Sequence, residues 1–256
     1  MNNYPWRLRL YHEGAASLRV ERSGRWFHFD ASGPAQAHSI HIPTGTPGAP
    51  INGVLHSIRS GERPTVAGFP QDLQSLEDLG LIDGHMVPTT LDGVQIRTAE
   101  LPKSSANPNP RPGFTQRIRT RISNPQFQWN PHPRVVELEL PDGGRLVHIG
   151  CALHSETPRD WIEQTAEQFG GSDWLIACIP YGEGQAFLEY LPLFNAQIVL
   201  VTDLINEGRE QRKLPTELMT PIVDKLQDQG IAAYPFPPQS SQRFEAALKK
   251  EPEATP

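Results

Sequence analysis

The apolar residues of this chain change period partway along it, and that change limits the fold more than any other feature. In the first part they alternate: W-R-L-R-L-Y at residues 6–11, S-L-R-V-E at 17–21, R-W-F-H-F-D at 25–30, G-V-Q-I-R-T at 93–98 and R-V-V-E-L-E-L at 134–140. A period of two puts one side of a strand on a core and the other on solvent. In the last third, unbroken apolar runs appear instead, at residues 174–179 (W-L-I-A-C-I) and 198–202 (I-V-L-V-T). Runs of that length are strands buried on both faces. Helical spacing separates them: Trp161, Ile162, Thr165, Ala166 and Phe169, then residues 184–194 and 215–229. Strands first, then alternating β and α, with two helix-covered faces over β-rich layers, predict an αβ sandwich.

Turn residues divide the chain further. Ser23-Gly24 and Asp142-Gly143-Gly144 mark two hairpins. Residues 31–50 are rich in Gly and Pro and read as loop, and residues 51–57 (I-N-G-V-L-H-S) as a short buried strand. Pro70-Gln71-Asp72 opens a short helix capped by Asp72 and stopped at Gly80, and Thr157 caps a helix with Pro158 at its first position. Residues 231–234 read as a final strand. Residues 102–116 form a Pro/Asn/Arg-rich loop, residues 1–248 a single domain, and residues 249–256 a disordered tail.

Composition removes several classes of function. Hydrophobic residues make up 37% of the 256, enough for a real core. The net charge of −6 makes nucleic acid an unfavoured partner. No apolar run nears the roughly 20 residues that span a bilayer, and residues 1–9 lack the apolar centre of a signal peptide. The only cysteines, Cys151 and Cys178, exclude a disulfide scaffold and a cysteine-rich zinc module. A cytoplasmic protein without a membrane anchor is expected.

Residues 9–33 (RLYHEGAASLRVERSGRWFHFDASG) resemble the start of a metallo-β-lactamase-fold protein, with the small-residue turn Gly14-Ala15-Ala16-Ser17 and Asp30 ending the hairpin. More narrowly, they are similar to a branch of small-substrate hydrolases. Residues 51–56 resemble the strand carrying that family's H-x-H-x-D-H motif. Residues 146–150 resemble the strand before its bridging Asp, residues 174–182 the next strand and Pro-Gly loop, and residues 198–203 the strand delivering its last His. The resemblance implies an α+β fold, an αβ/βα four-layer sandwich, whose chemistry uses one or two metal ions on His and carboxylate ligands. Set on the motif, this chain offers His56-Ser57-Ile58-Arg59-Ser60-Gly61, of which only His56 matches, and Arg59 would bring a cation to a dication's place. The third-His region at residues 101–104 has no His, the bridging-Asp position falls at Cys151 or Ala152, and the last-His position at Thr202 or Asp203. The expectation is a diverged member that has lost the dinuclear site, with no cofactor and a binding, regulatory or scaffolding role through a protein partner or its own copies.

Other side chains carry competing readings. His148, Cys151, His154 and Glu156 follow one strand closely and, with His56 and Asp203, could build a rearranged hydrolase site holding zinc. The plain alternative is a loop with chance polar residues. Cys151 with His154 or His56 could be nucleophile and base, against a buried structural cysteine. His38 and His41 could supply two metal ligands, against two solvated loop histidines. Thr202-Asp203 with Asn206-Glu207 could form an acid pair, against a solvated loop. Arg117, Arg119 and Arg121, with Arg111 nearby, share a strand face that could take a polyanion, with Phe114 and Phe127 for stacking, against a charge-protected edge. No P-loop, G-x-G-x-x-G or G-x-S-x-G occurs.

Overall fold

The computed structural model describes residues 7–14, 17–22, 24–31, 38–45, 52–101, 134–150, 152–179, 182–202, 219–238 and 240–245. The first half contributes β1 (Arg7–Gly14), β2 (Ser17–Arg22), β3 (Arg25–Phe29), β4 (Ile40–Ile42), α1 (Asn52–Arg59), β5 (Thr65–Gly68), α2 (Pro70–Asp78) and β6 (Asp83–Met86). Then come β7 (Thr89–Leu91), β8 (Val94–Glu100), β9 (Arg134–Glu139), β10 (Arg145–Gly150), α3 (Arg159–Phe169) and β11 (Trp174–Cys178). They are followed by α4 (Gly184–Tyr190), a 3-10 turn (Leu191–Phe194), β12 (Ile198–Thr202), α5 (Met219–Asp228), β13 (Ala233–Pro235) and β14 (Ser241–Glu245).

The strands form two seven-stranded sheets, β14-β1-β2-β3-β4-β5-β6 and β13-β12-β11-β10-β9-β8-β7. Each is antiparallel at one end and parallel at the other: β3 to β6 run parallel in the first, β10 to β13 in the second. The alternating residues meet between the sheets. Leu10, Leu18, Val20, Phe27, Phe29, Ile40 and Ile42 of the first sheet share one core with Val136, Leu138, Leu146, Ile176 and Leu200 of the second. Each such side chain, fully buried, contributes about 1.5–3 kcal/mol. Val147, Ile149, Leu175, Ala177, Val199 and Val201 point the other way and pack under α3, α4 and α5. That second burial explains why β11 and β12 read as continuous apolar runs. On the far side, Val54 and Leu55 of α1 and Leu73 and Leu76 of α2 pack on Val66 of β5. The predicted αβ/βα sandwich is the observed architecture.

Several local expectations are corrected. Residues 51–57 are not a strand: Val54, Leu55 and Ile58 recur at helical spacing, and Asn52–Arg59 is helix α1. The 31–50 stretch is not all loop, because β4 runs through Ile40–Ile42. Thr157 does not cap α3. Pro158 precedes the helix, while the Thr157 hydroxyl donates to the Ala152 carbonyl (2.8 Å) and accepts from the His154 amide (3.1 Å). Helix α2 starts at Pro70 after Phe69, so Asp72 lies inside it. Strand β14, which pairs antiparallel with β1, has no counterpart in the sequence reading. Among the described residues no helix is long and apolar enough to cross a membrane.

Candidate functional site at the strand ends

The sandwich brings the ends of β1, β3, β4, β10, β11 and β12 together between the sheets, and polar residues interrupt the core there. Strand parity places them. His12 shares a face with Leu10, His148 with Leu146, Cys178 with Ile176 and Thr202 with Leu200, and all four are buried. His12 Nε2 and Thr202 Oγ1 share a 2.5 Å hydrogen bond across the two sheets, and the His12 ring meets Phe236 edge-on at 5.6 Å. His148 stacks on Phe29, with centroids 4.8 Å apart and planes at 14°.

The surroundings of His148 set its proton. Gly150 has φ +59°, a left-handed backbone that glycine adopts without strain, and its amide donates to His148 Nδ1 at 3.0 Å. Nδ1 is therefore the acceptor, and a neutral ring carries its hydrogen on Nε2. Nε2 lies 3.8 Å from Cys178 Sγ. A ring already protonated on that nitrogen cannot take the thiol's proton, so this pair is not arranged as nucleophile and base. Burial, the largest cause, lowers the His148 pKa to about 3 and that of His12 to about 4.

Beside them stands a second buried group. Asp30, at φ +47°, ends the β2–β3 hairpin as the sequence suggests. Its Oδ1 accepts from the Thr44 amide (2.9 Å) and its Oδ2 from the Thr44 hydroxyl. Burial pushes its carboxyl up to about 7, against those hydrogen bonds and the charge of Arg134. Arg134 is itself buried, with its guanidinium carbon 4.7 Å from the Phe69 ring centre, and its amide donates to the Thr44 carbonyl at 3.0 Å.

The residues singled out from sequence are distributed around this cluster. His148 lies inside it. His56 is exposed on α1, on the outer side of the first sheet. His154 lies in the loop before α3, where its Nδ1 accepts from the Glu156 amide at 3.2 Å. His38 is exposed in a turn, whereas His41 is buried on β4, so these are not two solvated loop histidines. Thr202 faces His12. Cys151, Asp203, Asn206, Glu207, Arg111, Phe114, Arg117, Arg119, Arg121 and Phe127 lie outside the described residues. Sequence reasoning missed His12, although its parity with Leu8 and Leu10 marked it as inward-facing.

Among the described residues no three His, Cys, Asp or Glu side chains come together to hold a metal ion. The stretch from the end of β4 to α1, residues 43–51, reads P-T-G-T-P-G-A-P-I and contains no His, Asp, Glu or Cys.

No protein-family model matches the chain, and no curated protein matches it by sequence. Solved structures do match in fold. One is a metallo hydrolase of the archaeon Ignicoccus hospitalis (TM-score 0.66, 13% identity, covering 94% of this chain and 100% of that one). Another is a possible metal-dependent hydrolase of Veillonella parvula (TM-score 0.59, 11% identity, 91% and 98%). A third is an isothiocyanate hydrolase from Delia radicum gut bacteria (TM-score 0.57, 10% identity, 93% and 100%). The chain has the metallo-β-lactamase fold shared by such metal-dependent hydrolases.

Proposed function

We propose that this chain uses the metallo-β-lactamase fold without its dinuclear metal centre, as a cytoplasmic binding, regulatory or scaffolding protein with no resident cofactor. The carrying observation is the strand-end cluster. The polar side chains that point inward there are bonded to one another: His12 to Thr202, Asp30 to Thr44, and His148 between Gly150, Phe29 and Cys178. A group engaged in this way is not offered to a metal ion or a substrate. The lack of His, Asp, Glu and Cys in residues 43–51 supports the same reading, because a hydrolytic metal ion needs several His or carboxylate ligands in one place. Elemental mass spectrometry on protein purified without a histidine tag or chelator tests it. Substoichiometric zinc, iron and manganese in a folded protein is the expected result. One or two equivalents of any of them would overturn the proposal in favour of a rearranged hydrolase site, with His148 to Glu156 the first residues to mutate.

A further inference from the structure

The outer face of the first sheet carries a second histidine cluster, separate from the strand ends. Register sets Arg19, His28 and His41 side by side on β2, β3 and β4. His28 and His41 are 1% and 2% exposed, and their rings lie 5.7 Å apart with planes at 65°. Among the described residues, neither nitrogen of His28 has a hydrogen-bond partner, and Nδ1 of His41 has none. Buried polar atoms are rarely left unpaired, and an unoccupied ligand site is one standard cause.

The geometry points to a two-coordinate site for a monovalent soft metal ion, Cu(I), held by one nitrogen of His28 and Nδ1 of His41. Imidazole is a normal ligand for copper. With nitrogen–metal bonds of about 2 Å, two imidazoles in line would have centroids roughly 6 Å apart, near the observed spacing. Linear coordination leaves the angle between the rings free, so a 65° tilt is no obstacle. Either nitrogen of His28 can serve, so the site does not depend on which way that ring is turned.

Charge selects the ion. Among the described residues no carboxylate charge acts on either ring to offset a dication. Arg19, the adjacent cation, lies with its guanidinium carbon 4.9 and 5.0 Å from the Tyr11 and Trp26 ring centres and its Nε 2.9 Å from Glu13, and its charge still opposes positive charge on His28, which disfavours a dication further. The cost of burying an ion grows with the square of its charge, so two neutral imidazoles favour +1 over +2.

The full chain, given one equivalent of Cu(I) anaerobically with ascorbate, tests the site by ring-nitrogen NMR and copper X-ray absorption. The His28 and His41 nitrogens should shift together, with a first shell of two nitrogens, and His28→Phe or His41→Phe should each abolish that shell. A sulfur-only shell would place the copper on cysteine and overturn the proposal. So would a two-nitrogen shell that survives both substitutions, or unmoved resonances, which would mean that water alone fills the gap. One equivalent of Zn²⁺ should leave both rings in place; a matching shift would overturn the monovalent assignment. Because NMR reads the unaltered protein, a variant that fails to fold leaves the test intact.

Discussion

At the scale of single residues, four buried histidines dominate the response to acid. Burial keeps His12 and His41 (pKa about 4) and His28 and His148 (about 3) uncharged in the folded protein. In the unfolded chain they take up protons near the ordinary value of 6.5. Each therefore supports the fold fully above about pH 6.5 and loses that support as pH falls toward its folded value. Asp30 acts in the opposite sense. With its folded pKa near 7, it favours the fold below the ordinary carboxylate range and loses that contribution as pH rises through 7. Four groups against one give a net loss on acidification. Urea midpoints should fall steadily from pH 7 to 4.5, and a flat profile over that window would contradict the burial of these rings. Thr202→Val should cost about 1–3 kcal/mol in the same assay at neutral pH, because it leaves His12 Nε2 buried without its partner.

At the scale of elements, the outer side of β8–β9–β10 is held by one carboxylate. Glu137 is fully buried. Its Oε1 lies 2.7 and 2.6 Å from Arg145 Nε and Nη2, and its Oε2 lies 2.6 and 2.5 Å from Arg97 Nε and Nη2. Arg145 also donates to the Gly170 carbonyl at the end of α3 (2.9 Å). Replacing Glu137 by Gln should cost on the order of 1.5–3 kcal/mol, the range for hydrogen bonds to charged groups; both arginines remain partly open to water, which limits the loss. At the α3 terminus, a Cβ on Gly170 would lie 2.3 Å from the Ala166 carbonyl oxygen and 3.1 Å from that of Phe194, both backbone atoms. Gly170→Ala should therefore destabilise by about 1–3 kcal/mol through overpacking. Urea unfolding of the variant checks it, and a neutral result would mean that the α3–β11 connection shifts freely.

The elements most legible from sequence were those whose packing shows in their composition. Alternation marked β1 to β3, β8 and β9, the Asp142-Gly143-Gly144 turn pointed to β10, and double burial marked β11 and β12. Residues 51–57 failed because Val54 and Leu55 are adjacent as well as helically spaced, and an apolar run this short fits either structure. Strand β4 failed because three residues are too few for a pattern. Strand β14 was missed because S-Q-R-F-E has one apolar residue, and its pairing depends on β1 at the other end of the sequence. The candidate site was less legible than the fold. Parity shows which way His12 and His148 point, but the His12–Thr202 bond joins residues on opposite sheets, a contact that no local pattern encodes.

At the scale of the whole molecule, both sheets contribute to one core, so the expectation of a single domain over residues 1–248 carries over as a prediction. Calorimetry should give one unfolding transition whose calorimetric and van't Hoff enthalpies agree. Two resolved transitions would divide the chain. The pairing of β1 with β14, which aligns Arg7 with Glu245, has a further consequence during synthesis. A ribosome adds roughly 5–20 residues per second. Strand β1 is therefore made more than 200 residues before its outer neighbour, Ser241–Glu245, and waits many seconds for it. Through that interval the nascent chain presents an open edge, a template for another polypeptide. The hazard to this protein is concentrated before its birth is complete, and a chaperone that shields nascent strands would act on β1.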